Sequence, residues 1–105
     1  MSGFVLHPEA YSDLDELWEF IAKDDLGAAD RVRDLVFETI QNLVPFPHQG
    51  HRRPDLTKRR LRFTRVHDLL VAYAPDEKPL LVLAVIHGSR SPRVLAAILR
   101  NRAEH

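Results

Sequence analysis

The sequence predicts an α+β fold in which an N-terminal helical hairpin packs on a small, mostly antiparallel sheet, in the order βααβββ with a C-terminal helix. Three observations predict it. Apolar residues recur at helical spacing from residue 8 to residue 43. Three short apolar or β-branched runs then follow within residues 60–87, joined by connections short enough for antiparallel hairpins. The last run, Leu80 to Ile86, is apolar at every position, so it should be buried on both faces and lie centrally in the sheet.

Taken in order, Phe4, Val5 and Leu6 form an apolar run that stops at His7-Pro8, and a first strand is expected at residues 3–7. Proline suits the first turn of a helix, where its missing N–H would have no partner anyway. From Pro8 onward, Leu14, Leu17, Trp18, Ile21 and Ala22 share one helical face, and Asp13, Asp15, Glu16 and Glu19 take the other. Gly27 is expected to break this helix. A second helix follows through Val32, Leu35, Val36, Ile40 and Leu43 until Pro45 and Pro47 end it. Residues 45–60 lack periodicity and read as a long basic surface connection. Strands are expected over 60–66, 69–74 and 80–87. A last helix is expected over about 92–103, with Val94, Leu95, Ile98 and Leu99 apolar and Arg93, Arg100 and Arg102 exposed.

The 105 residues fall near the commonest domain size, and one domain spanning 1–105 is expected. The absence of cysteine excludes a disulfide framework, a thiolate metal site and a cysteine nucleophile. Met1 to Leu6 is too short an apolar lead for a signal peptide, and no run approaches the roughly 18 residues of a membrane span. A cytoplasmic setting is expected. The formal net charge of zero hides an asymmetry: residues 1–44 carry three bases against ten acids, a net of −7, and residues 45–105 carry twelve against five, a net of +7. Such a division points to a surface that meets a charged partner, although two solvated faces of one fold would produce the same count.

Several stretches match a known pattern. Pro8-Glu9-Ala10 followed by Asp13-Leu14, Trp18 and Ile21 resembles the opening helix of RelE/ParE toxins. Leu43 with Pro47 and Gly50, then Arg53, Leu56, Arg60 and Arg62, is similar to that family's helix end and basic loop. Val71-Ala72-Tyr73 resembles its middle strand, and Val85-Ile86-His87-Gly88-Ser89-Arg90 its closing strand and tail. The resemblance covers nearly the whole chain and leans toward the ParE branch. It implies the toxin component of a bacterial type II toxin–antitoxin system, a growth inhibitor neutralised by a cognate antitoxin and working without a cofactor. ParE-like members poison DNA gyrase; RelE-like members are endoribonucleases that cut mRNA in the ribosome. A third reading is an inactive member that keeps antitoxin binding and operator regulation.

The chemistry of RNA cleavage separates these readings. Attack by a 2′-hydroxyl needs a base, cations for the crowded phosphorane and an acid at the leaving oxygen. The ribosome-cutting relatives commonly carry an arginine three residues before the middle-strand tyrosine, and Leu70 stands there. They often place a tyrosine or histidine after the last strand, where Val94 to Ile98 hold neither. His87, Arg90 and Arg62 are the remaining catalytic candidates, with His87 the only group suited to proton transfer near neutral pH. A histidine ending an apolar strand equally fits a hydrogen-bonded structural role. Target contact is expected from Arg53, Arg60, Arg62, Arg90 and Arg93. Charge protection of an edge strand would account for the loop arginines, and capping of the last helix for Arg90 and Arg93. His7, His48, His51, His67 and His105 show no metal-site spacing, and the four glycines form no phosphate loop. Trp18 and Tyr73 sit in periodic apolar patterns and are expected in the core, and the acids of the first helix read as a solubilising face.

Overall fold

The computed structural model describes residues 3–102. The elements are β1 (Phe4–Leu6), α1 (Pro8–Ala22), α2 (Leu26–Leu43), a 3-10 turn (Pro47–Gln49), β2 (Arg62–Val66), β3 (Leu69–Ala74), β4 (Leu80–His87) and α3 (Pro92–Arg100). Every helix starts on a side-chain cap. His7 Nδ1 accepts from the Glu9 N–H at 3.1 Å with Pro8 in the first turn, and the Asp25 carboxylate accepts from the Ala28 N–H at 3.0 Å. Ser91 Oγ accepts from the Val94 N–H at 3.3 Å, again ahead of a proline. These acceptors satisfy N–H groups that the first helical turn leaves without a partner.

Two boundaries differ from expectation. The hairpin turns at Asp24-Asp25, not at Gly27, because Asp25 caps α2 and leaves Gly27 inside its first turn. β2 opens at Arg62 and not at the expected residue 60, so Arg60 precedes the strand. α3 is assigned through Arg100; Ala103, the expected last residue, lies outside the described residues.

The sheet order is β1-β4-β3-β2, with β1 parallel to β4 and the other pairs antiparallel. β3 and β4 are interior and buried at nearly every position. One face carries Val71, Tyr73, Val82 and Val85 against Leu14, Val36 and Ile40 of the hairpin. The opposite face carries Phe63, Leu70, Ala72 and Ile86 against Leu95 and Leu99 of α3. A bulge lies in β4: Ala72 pairs with Ala84 and Tyr73 with Val82, so Leu83 has no opposite number. Leu83 and Ala84 consequently both join the α3-side core, which the two-residue period of a strand would forbid.

The bulge coincides with the end of β1. The His7 N–H donates to Val82 O at 2.8 Å, and no residue of β1 reaches further. Beyond it, Arg102 Nη1 donates to Leu83 O at 3.0 Å and the Val85 N–H donates to Asp13 Oδ2 at 2.9 Å. Two side chains therefore occupy ladder positions that a longer β1 would fill. Both were expected at the surface. Arg102 is only 8% exposed, and Asp13 belongs to the buried side of α1, not to a solubilising face.

The connection before β2 is tied to the sheet. The Tyr73 hydroxyl donates to Pro47 O at 2.7 Å and accepts from the Gly50 N–H at 3.0 Å. His51 and Phe63 exchange backbone hydrogen bonds at 2.8 Å in each direction. Tyr73 is fully buried as expected. Trp18 is only half-buried; its Nε1–H donates to Asp30 Oδ1 at 2.9 Å and bridges α1 to α2.

Candidate functional site

The antiparallel strands bring the candidate residues to opposite ends of the sheet. His87 closes β4 and pairs with Leu69, which pairs with Val66 at the end of β2. Arg62 opens β2 opposite Tyr73, four strand positions or about 13 Å away along the sheet. The structure therefore separates Arg62 from His87 and Arg90, and the three do not form one constellation.

The His87 end is built on a tight turn. The Gly88 N–H donates to Asp68 O at 2.7 Å, and the Arg90 N–H to His87 O at 3.3 Å. The Arg65 guanidinium lies against Gly88: a Cβ there would be 3.6 Å from Arg65 Nη1, an ordinary contact, and 3.2 Å from Asp68 O. Arg65, on β2, thus joins the turn that carries Arg90. Its place was hidden in the sequence because 23 positions separate it from Gly88, and only the strand register unites them. Arg90 and Arg93 are exposed. The cap of α3 is Ser91, so neither arginine does the capping expected as their alternative role. A cation in the first turn of a helix opposes the positive end of its dipole, which makes Arg93 a local cost to stability.

His87 is exposed, and its Nδ1 lies 2.6 Å from Ser89 Oγ and accepts from the Ser89 N–H at 3.3 Å. Nδ1 is therefore engaged within its own turn. Leu70, where the ribosome-cutting relatives carry arginine, is buried in the α3-side core.

The other end of the sheet holds Arg52, Arg60 and Arg62 around a pocket of about 260 Å3 completed by His48, Leu61, Pro75 and Asp76. Arg62 Nη1 donates to Gly50 O at 2.8 Å, and His48 Nε2 lies 3.1 Å from Asp76 Oδ1. Arg53 stands apart, its Nε and Nη2 donating to the two Asp55 oxygens at 3.0 and 2.8 Å. That pairing raises the Arg53 pKa above its already high ordinary value and lowers that of Asp55. Arg59 donates to the carbonyls of Leu99 and Arg102, both at 2.9 Å, and closes the C-terminus of α3. Among the described residues no group of three or more His, Asp or Glu side chains is placed to hold a metal ion, and no helix is long and apolar enough to cross a membrane.

A third feature is apolar. A groove of about 460 Å3 runs along β1, lined chiefly by Val5, Val44, Pro47, Pro75 and Pro79. Val5 is 45% exposed beside it, and Phe46, 71% exposed, belongs to the same 44–47 segment.

A comparison with curated proteins gives no match. The family described as ParE toxin of type II toxin–antitoxin systems matches residues 4–92, from the first residue of β1 to the first of α3, and includes the Arg65–Arg90 turn and the basic pocket. With that match over most of its length, on the α+β fold described above, the chain belongs to the ParE toxin family of type II toxin–antitoxin systems.

Proposed function

We propose that this toxin inhibits DNA gyrase by binding it, without itself cutting nucleic acid, and that a cognate antitoxin neutralises it. The observation that carries the non-enzymatic reading is Leu70. A buried leucine occupies the position from which a nuclease relative would offer a cation to the phosphorane. His87 has its Nδ1 engaged by Ser89, and Arg62 lies at the far end of the sheet. What is left is an exposed basic rim of Arg65, Arg90 and Arg93, suited to gripping a large anionic or acidic surface.

The apolar groove along β1 supports the antitoxin half of the reading. A disordered antitoxin segment that folds on binding needs apolar surface to offset its ordering entropy, and Val5, Val44, Pro47 and Pro79 provide it. One observation favours a ribosome-dependent endoribonuclease as the second reading: the Arg65 guanidinium lies against Gly88, two residues before the exposed Arg90.

Purified protein added to gyrase with supercoiled DNA, and separately to translating ribosomes, distinguishes the two. Trapped cleaved DNA is expected in the first assay and intact mRNA in the second. Codon-positioned mRNA cuts with normal gyrase turnover would overturn the proposal, and inertness in both would leave an inactive member that retains only antitoxin binding and operator regulation.

A further inference from the structure

We propose that the pocket at the start of β2 is a phosphate-binding site. Arg52, Arg60 and Arg62 line it, and the one carboxylate in its wall, Asp76, is already engaged by His48 at 3.1 Å. Three guanidinium groups against a single occupied carboxylate leave net positive charge even with His48 neutral. At about 260 Å3 the pocket falls just below the range of roughly 300–1,000 Å3 typical of drug-sized ligands, so it suits a small group. A phosphate fits the charge better than a carboxylate does, because its several oxygens can accept from more than one guanidinium fork at once.

The frame of the site, though not every cation in it, is held before any ligand arrives. Gly50 O fixes Arg62, Tyr73 fixes Gly50, and the His51–Phe63 backbone pair fixes the segment that carries Arg52. Arg52 and Arg60 are exposed and make no hydrogen bond or ion pair with the described residues, so their donors remain available. Arg53 is excluded by its bidentate bond to Asp55. The inference goes beyond the toxin's choice of target: the phosphate belongs either to a polynucleotide backbone or to a free monoester.

The test titrates the isolated protein with inorganic phosphate at constant ionic strength, following arginine Nε–Hε resonances by NMR. Saturable shifts confined to the pocket arginines are expected. The R52A/R60A double variant should weaken binding at least about tenfold, while K23A/R31A, which removes the same charge from the helical hairpin, should leave it unchanged. Thymidine 5′-monophosphate and a dithymidine phosphodiester without terminal phosphates form the source arms; whichever binds with the same R52A/R60A dependence names the source. Unsaturable shifts, or equal weakening in both double variants, would overturn the site. Since gyrase is absent from this titration, its failure leaves the reading of the target intact.

Discussion

Arg102 and Asp13, 89 positions apart, form a bidentate pair that continues the sheet where β1 stops, with Nη1 and Nη2 donating to the two carboxylate oxygens at 2.7 and 2.9 Å. The same two groups hold Leu83 O and the Val85 N–H, so the pair joins α1, β4 and the end of α3 at once. The hydrogen bonds from Arg102 to Asp13 raise the guanidinium pKa above its ordinary high value, against the opposing effect of burial. R102A should lower the unfolding free energy in urea by about 3–5 kcal/mol, the scale for leaving one partner of a buried pair alone. Replacing both by apolar residues often restores stability at buried pairs. D13L/R102M should not do so here, because the Leu83 carbonyl and Val85 N–H would then lose their partners. A double variant as stable as the parent would show that water serves this edge equally well.

The Tyr73 hydroxyl, bonded to Pro47 O and the Gly50 N–H, anchors the connection that carries the basic pocket. Y73F should cost about 1–3 kcal/mol, since it strands two polar groups at a largely buried site. Its pH dependence has a definite sign. Burial raises the Tyr73 pKa, against smaller opposing effects of the Gly50 N–H and Arg62. The folded state therefore holds its proton more tightly than the unfolded chain. The resulting stability is complete below the unfolded value of about 10 and is lost as pH rises from there through the folded value. Thermal unfolding of parent and Y73F between pH 8 and 11.5 should show their difference narrowing at the alkaline end. A constant difference would remove the burial argument.

Gly50 is needed for space and not for its backbone, which is extended at φ −73°, ψ 174°. A Cβ there would lie 2.8 Å from Phe63 O and 3.1 Å from Tyr73 Cε1. G50A should therefore destabilise the fold by about 1–3 kcal/mol through overpacking. The same substitution at Gly27, on the exposed first turn of α2, should stay within about 1 kcal/mol of the parent. Equal effects at the two glycines would mean that both the Tyr73 ring and the Phe63 carbonyl yield freely.

The order of elements was legible because local period and punctuation agree: proline after His7, a carboxylate or hydroxyl before each later helix, and two short hairpin turns. The candidate site was legible only in part. The resemblance pointed to Arg90 and Arg93 at the exposed turn after β4, but Arg65 reaches that turn through strand register, which no linear spacing reveals. The bulge at Leu83 was invisible because a run that is apolar at every position carries no alternation to interrupt. Arg102 and Asp13 were misplaced for a related reason. A charged residue near a helix end or on a helix's acidic side is normally solvated, and only a distant unpaired strand edge draws this pair inward.

The rim at the Arg90 end can be tested by separating potency from stability. Arg90 and Arg93 are exposed, and Arg93 stands in the first turn of α3, where the helix dipole disfavours a cation. R93A should therefore stabilise the fold by a few tenths of a kcal/mol, up to about 1 kcal/mol. R90A should stay within about 0.5 kcal/mol of the parent. If the rim grips the target, each substitution should nevertheless weaken gyrase inhibition by about tenfold or more, the scale for an interfacial arginine. A conservative R93K should retain most of the inhibition if charge alone is needed, and lose it if the guanidinium fork is used. Should R93A lose stability and potency together, Arg93 supports the helix and not the contact, and the interface would have to be sought elsewhere on the basic half of the chain.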